Sequence, residues 1–320
     1  MPANNLNGNL SDDSPDSDGE SMSSLSSEEL ARHFQTRYGR QFHSYGMVPY
    51  PLPADPAEMQ RLDRMHDAVK HFFGGRNYCE RVGQLLHEPL DARMRIADLG
   101  TGSGKWVDEM AVEFPNFKFY GVDIAPTATQ EPEENVQYEI NPLQATGFDR
   151  GYFHFVHMRQ TSLGITDYVP VVREIARILR PRGYFYSAEW LRRVFMADGS
   201  NVEQQAPLAV RFFRIIDRLM QSRHVPSDPE GQLLVAVLLQ SQQFEVVHME
   251  HRQILGEQGA VGLHFRNAFK EYADAFKYLL LDSGCSEGNA EQLITGFKHD
   301  IDVVPGLTVV YTTVLARKLL

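Results

Sequence analysis

The segment IADLGTGSGKW at 96–106 constrains this chain more than any other stretch. An apolar run that reads as a strand passes straight into Gly100, Gly102 and Gly104, and these lead into a helical pattern. Glycines at such a junction let the backbone turn sharply and come close to a ligand, while the first N–H groups of the helix point at it. From Met94 onward the alternation of strand-like and helix-like segments repeats, the signature of a parallel sheet covered by helices on both faces. The pattern predicts strands at 94–98, 117–122, 136–140, 152–157 and 183–189, with helices at about 104–113 and 167–179. LRPRG at 179–183 supplies a helix stop and the turn into the next strand.

After Trp190 the rhythm breaks. Helices are expected near 206–222 and 230–242, a strand near 244–250, helices near 260–281 and 287–299, and a last strand, LTVVYTTVLAR, at 307–317. The inserted helices suit a lid over the carboxyl ends of the strands, where an open α/β sheet binds ligands.

Upstream, Ser27 followed by Glu28, Glu29 and Leu30 reads as a helix start, with the helix running to about Tyr38. Pro49, Pro51 and Pro53 then impose an extended stretch. Asp55 caps a helix opening at Pro56, with Met59, Leu62, Met65, Val69, Phe72 and Phe73 at helical spacing, and Gly74-Gly75 ends it. The first 27 or so residues, rich in Ser, Asp, Asn and Gly, bury too little to offset the entropy of ordering. The expected organisation is an acidic, Ser-rich disordered tail at 1–28, an N-terminal helical lid at 29–90, and an α/β domain at 91–320 with a helical insertion at about 191–242.

The formal charge of −11 over 320 residues argues against a nucleic-acid surface, whose affinity comes from clustered Lys and Arg. Much of the imbalance sits in residues 1–29, which hold Asp12, Asp13, Asp16, Asp18, Glu20, Glu28 and Glu29 and no Lys or Arg. That stretch reads as a solvated leader, with an interaction arm for a protein partner as the functional alternative. There is no apolar run long enough for a membrane span and no signal-peptide pattern, so a cytoplasmic protein is expected, with the nucleus also open to it. Cys79 and Cys285 offer neither a disulfide framework nor the spacing of a metal site.

The glycine loop gains meaning from two acids. Asp98 precedes Gly100 by two positions, and Asp123, in VDIAP, ends the next strand, where a carboxylate can accept both hydroxyl protons of a ribose. The pair specifies an adenosine-type ligand. A dinucleotide loop reads G-x-G-x-x-G/A, whereas here the spacing is G-x-G-x-G with Lys105 following Gly104. Asp98 suits a cationic amino-acid end better than a pyrophosphate, which it would repel. The spacing thus disfavours an NAD-dependent dehydrogenase.

At this point the chain resembles the class I S-adenosylmethionine (SAM)-dependent methyltransferases. The segments YGRQFHSY at 38–45, YPLPADPAEMQRLDRMH at 50–66, IADLGTGSGKW, YGVDIAP at 120–126 and LRPRGYF at 179–185 look like the fungal LaeA-like members, enzymes and regulators linked to secondary metabolism. The resemblance runs from about Tyr38 to Trp190. It implies an α/β, Rossmann-like fold with a seven-stranded, mostly parallel sheet whose last strand is antiparallel. It also implies SAM as cofactor and a small-molecule natural product as methyl acceptor. The alternative is a regulatory protein of secondary metabolism that acts through protein partners, with SAM binding retained or vestigial.

By the resemblance, Asp98, Gly100, Thr101, Gly102 and Gly104 hold the methionine portion, Asp123 the ribose and Ile124 one face of the adenine. Asn141 falls where an acidic or amide side chain meets the adenine amine, and His66 and Asp63 close over the cofactor with Tyr38 and Arg40. The chain departs from the family at Asn141-Pro142, where an acidic pair is expected, and at His154, where an aspartate is usual. Both departures predict a partly degenerate cofactor site. His157, just past the fourth strand, is the first candidate for a general base, with a hydrogen-bonding role toward cofactor or backbone as the alternative. Glu189, at the end of the fifth strand, orients an acceptor or forms a structural ion pair. Tyr50, Phe72, Phe73, Trp106 and Trp190 line an aromatic pocket or belong to the core.

Overall fold

A computed structural model describes residues 20–89, 91–228, 230–254 and 260–320. In chain order the first elements are β1 (Glu20–Ser21), α1 (Ser27–Ala31), β2 (Phe34–Arg37), β3 (Arg40–His43), α2 (Pro56–Phe72) and α3 (Glu80–His87). The α/β alternation follows as β4 (Arg95–Leu99), α4 (Lys105–Glu113), β5 (Lys118–Asp123), β6 (Val136–Ile140), β7 (Phe153–Arg159), α5 (Tyr168–Ile178) and β8 (Leu179–Trp190). Then come β9 (Phe195–Met196), α6 (Val202–Gln205), α7 (Pro207–Ser222), α8 (Leu233–Gln240), β10 (Phe244–Gln253), α9 (Ala260–Ala275), α10 (Lys277–Asp282), α11 (Glu287–Val303), β11 (Leu307–Thr308) and β12 (Val310–Lys318).

The central sheet has the order β1-β6-β5-β4-β7-β8-β12-β10. β6, β5, β4, β7 and β8 run parallel, and β12 is antiparallel to both its neighbours. Seven strands make the expected Rossmann-like sheet, and the two-residue β1 adds an antiparallel edge against β6. The sequence order reverses beside β4, which places the ligand crevice at the carboxyl end of that strand. Alternate residues of each strand point to opposite faces, so two cores form. On one face Ile96, Phe119, Phe155 and Tyr186 pack with α2–α4, α7 and α9–α11; on the other Ala97, Leu99, Val122 and Val156 pack with α5 and α8. Among the described residues no helix is long and apolar enough to cross a membrane.

Three expectations change. The first helix stops at Ala31, and residues 34–43 form a hairpin turned at Tyr38 and Gly39, with φ of 51° and 71°. Two positive φ values are what a two-residue hairpin turn of the primed type requires. Residues 1–19 of the expected tail lie outside the described residues; beyond them, Glu20 and Ser21 pair with β6 and Met22 is buried in the core. The third concerns the helices after Trp190, which do not roof the sheet. Their phenylalanines bury against one another and against α2: Phe212 and Phe297 lie 4.5 Å apart, and Phe265 meets Phe72 edge-on. Apolar faces of this size find more burial on the sheet's face than over its polar rim.

Candidate functional site

β4 is buried from Ile96 to Leu99, then breaks into the loop because Gly100, Gly102 and Gly104 all take positive φ, at 79°, 57° and 82°. Gly100 is also sterically required, since a Cβ there would lie 2.4 Å from the Thr161 methyl. The N–H groups of Gly100 and Thr101 both donate to the Val122 carbonyl (2.8 and 3.0 Å), fastening the loop to β5. Gly104 caps α4 from behind, against the ring of Tyr138.

The loop forms the floor of a cleft of about 1450 Å³, open mouth included, whose walls come from 43–66, 98–106, 123–127, 143–144 and 159–171. Asp98 and Asp123 both face it. Asp98 accepts from Thr101 Oγ1 (3.0 Å) and contacts His157 Nδ1 (2.7 Å). Burial lowers the His157 pKa, so the ring is neutral near pH 7 and its Nδ1–H donates to Asp98. Trp106 stacks on it at 3.9 Å and Tyr186 at 5.7 Å, which fixes the ring plane. Asp123 accepts from the N–H groups of Gly102 (2.9 Å), Ile124 (2.7 Å) and Ala125 (3.3 Å). Its pKa is nevertheless raised, first by burial and also by the charge of Asp98. Two carboxylates that oppose each other's charge leave a field that favours a cationic ligand.

Helix α2 lies along the loop through one face. Asp63 accepts from Ser103 Oγ (2.7 Å), Asp67 pairs with Lys105 (2.6 Å), and Glu109 receives Lys70 Nζ (2.5 Å) and His66 Nε2 (3.3 Å). His66 Nδ1 accepts from Arg159 Nη2 (2.9 Å), and burial, reinforced by the Arg159 charge, pushes the His66 pKa down to about 4. The spacing 63, 66, 67, 70 is one helical face, so a single element both covers and braces the loop.

Of the residues expected in the site, Asp98, Gly100, Thr101, Gly102, Asp123 and Ile124 line the cleft together. Six others do not. Gly104 stands behind the loop, and His157 sits under Asp98, outside the lining. Glu189 holds the turn after β7, accepting from Thr161 N (2.6 Å) and Ser162 N (3.0 Å), and burial raises its pKa to about 7. Asn141 spends its amide on the Thr146 carbonyl (3.1 Å), and Leu143 and Gln144 reach the cleft in its place. Tyr38 is half exposed and donates to Asp282 (3.1 Å), while Arg40 pairs with Asp55 and donates to Tyr278 (3.2 Å). These last two anchor the hairpin to α10 and to the start of α2. His154 accepts from Arg95 N (3.0 Å) at the amino end of β7, the end away from the cleft, so its departure from the family pattern does not bear on the ligand. Of the aromatics, Tyr50 and Trp106 line the cleft, whereas Phe72, Phe73 and Trp190 are core. Helices of 191–300 contribute nothing to the lining, whereas residues 43–66, within the expected N-terminal lid of 29–90, wall the cleft.

Sequence reasoning missed Arg159, His43 and the Met47-Val48 segment. Arg159 had a signal: it is the charge that ends FHFVHMR, a strand otherwise buried throughout. The Met47-Val48 wall had none, because its place depends on the hairpin.

A sequence model of a methyltransferase domain family matches residues 70–250. The chain is 36% identical over 149 residues to the secondary metabolism regulator LaeA of Coprinopsis cinerea, covering 46% of this chain and 37% of that protein. It is 29% identical over 201 residues to methyltransferase PytC of Aspergillus terreus, covering 62% and 59%, and 26% identical over 211 residues to methyltransferase str2 of Strobilurus tenacellus, covering 65% and 71%. The chain thus spans from about a third to three fifths of the length of the first two relatives. Because the matched domain takes in more than half of the chain and holds the glycine loop, both acids and the cleft floor, this protein belongs to the methyltransferase domain family.

Proposed function

We propose that this protein binds SAM and transfers its methyl group to a small-molecule natural product of fungal secondary metabolism. The observation that carries the reading is the pair of carboxylates, Asp98 and Asp123, at the ends of adjacent parallel strands on either side of a loop whose glycines leave the floor bare. The residues fit the cofactor. Asp98 suits its ammonium, Asp123 Oδ2, which accepts only from Gly102 N among the described residues, has a lone pair left for a ribose hydroxyl, and Ile124 and Leu143 offer apolar surface for a base. When bound, SAM supplies a methyl already made electrophilic by its sulfonium. The protein's work is then alignment and exclusion of water, and alignment alone is worth on the order of 7–11 kcal/mol.

Asp98 is held in one orientation by Thr101 and by His157, which acts as a positioning residue. The wall of 43–54 and helix α2 shield the reacting centre from water. Some relatives are named as regulators, but a bare loop, two opposed acids and a roomy cleft are more than a protein-contact role needs.

The test is transfer itself. Full-length protein incubated with methyl-tritiated SAM and organic extracts of fungal cultures is expected to move label into an organic-soluble product. Gly102→Asp, which adds a charge and a side chain to the cleft floor, is expected to abolish that transfer. Label that stays in SAM with every extract, at a protein concentration that saturates with S-adenosylhomocysteine (SAH), would contradict the enzymatic reading.

A further inference from the structure

We infer that the methyl acceptor is an apolar carboxylic acid whose ionised oxygen is held by Arg159; this rests on the methyltransferase reading above. Arg159 ends β7 and lines the cleft beside His66. Among the described residues it is the cleft cation with no counter-charge. Lys105 is spent on Asp67 (2.6 Å), and His66 is neutral. The one side-chain bond of Arg159 among the described residues goes to a ring nitrogen, with no carboxylate within ion-pair distance. The acids that line the cleft are engaged: Asp98 on Thr101 and His157, Asp123 on three backbone N–H groups, and Asp167 on Val169 N (2.8 Å).

The indole N–H of Trp190 is buried without a protein partner among the described residues, and the hydroxyls of Tyr186 and Tyr311 feel the Arg159 charge. A half-buried guanidinium in such surroundings is stabilised by an anion, and a carboxylate matches its fork geometry.

Among the described residues, no histidine lining the cleft is free to remove a proton from an acceptor. Both His66 nitrogens are engaged, and His157 and Glu189 lie outside the lining. His43 bonds the Tyr50 carbonyl through Nε2 (3.0 Å), and its Nδ1 is sealed from solvent. An acceptor that arrives ionised needs no base. The rest of the wall, Met47, Val48, Tyr50, Met59, Ile165 and Val171, suits an apolar body.

The chemistry balances. A carboxylate oxygen lone pair forms the O–CH3 bond while the C–S bond breaks, its electron pair staying on sulfur. The negative oxygen and positive sulfonium give a neutral ester and a neutral thioether, with no proton released. The ester has lost the charge that Arg159 holds, which favours release.

The test uses full-length protein saturated with SAH, titrated at pH 7.5 with naphthalene-2-carboxylate and with 2-naphthamide as probes. The acid is expected to bind at least tenfold more tightly than the amide. R159Q is expected to bring the two within about twofold, while R159K, which keeps charge but loses the fork, retains a reduced preference. SAH affinity of both variants should stay within about threefold of wild type. Equal binding of acid and amide to the wild type overturns the inference, as does failure of both probes to bind. A tenfold loss of SAH affinity in R159Q with unchanged affinity for 5′-methylthioadenosine, which lacks the amino-acid end, assigns Arg159 to the cofactor's carboxylate and overturns it too. Failure of SAH itself to bind overturns the functional reading beneath.

Discussion

The floor and the wall of the cleft are built by different means. The floor is one continuous segment, β4, the glycine loop and the start of α4, closed by the end of β5; its shape follows from glycines at fixed spacing and two acids at strand ends. The wall is assembled at a distance. His43, Met47 and Tyr50 are placed by a hairpin whose turn is tied to Asp282 through Tyr38 and Arg37 (2.6 Å), and Thr161 is placed by Glu189. A floor made of local backbone geometry should be brittle to single changes and serve the shared cofactor. A wall held by a few tethers should tolerate change in its lining and fail chiefly where a tether is cut.

Glycine substitutions give the largest contrast. Gly100→Ala puts a Cβ 2.4 Å from Thr161 at a φ of 79°, and is expected to cost more than about 3 kcal/mol in stability or to lower SAH affinity at least a hundredfold. Gly46→Ala, in the wall with nothing within 4 Å of the new Cβ, is expected to stay within about 0.5 kcal/mol of wild type. Urea unfolding and SAH titration read both. Similar losses in the two variants would erase the distinction between floor and wall.

Asp123→Asn comes next. It keeps the shape but removes the charge and one acceptor oxygen, so SAH affinity should fall about 10- to 100-fold, the worth of a hydrogen bond to a charged group. Thermal stability should fall modestly, since the new amide NH2 would face one of the backbone N–H groups that Asp123 accepts from. An unchanged dissociation constant would mean that the carboxylate does not meet the ligand.

Asp282→Asn sharpens the other side. Asp282 gathers Arg37, Tyr38 and Arg223, and its pKa is lowered because the hydrogen bonds and charge of these partners outweigh burial. Removing the charge should cost about 1–2 kcal/mol and loosen the hairpin. SAH affinity should change less than threefold, whereas limited proteolysis within 34–54 should accelerate. A loss of SAH affinity equal to that of Asp123→Asn would show that wall and floor are one unit.

The smallest effect is expected at Glu189. A carboxyl whose pKa is raised on folding gives stability fully present below its unfolded value and lost as pH rises through the folded one, here about 7. Wild-type stability should therefore fall between about pH 5 and pH 7. Glu189→Gln, whose carbonyl oxygen can still accept from Thr161 and Ser162, should flatten that fall. Urea titrations at the two pH values measure it; the same slope in both proteins would place the ionisation elsewhere.

The same division decides what the sequence made legible. β4, the loop, α4 and Asp123 could be read because glycine conformation and strand alternation are local properties. Asp55 as a cap and the helix from Pro56 were legible for the same reason. The hairpin was not, because its turn asks Tyr38, a residue with a Cβ, to adopt positive φ, which no propensity announces. His157 and Glu189 were placed correctly at strand ends, but their work stayed open between chemistry and a hydrogen-bonding or structural role. Position along a strand does not say whether a side chain clears the loop or is stacked beneath it, as the ring of Trp106 stacks on His157. The helices after Trp190 were found in sequence but not in space, since an amphipathic face does not name the surface that will cover it.

The account rests on the floor of the cleft accepting the cofactor. Calorimetric titration of the purified full-length chain with SAH tests it most directly. One saturable site in the micromolar range, weakened about 10-fold or more by Asp123→Asn, is the predicted result. No detectable heat, together with no thermal shift at millimolar SAH, would contradict it.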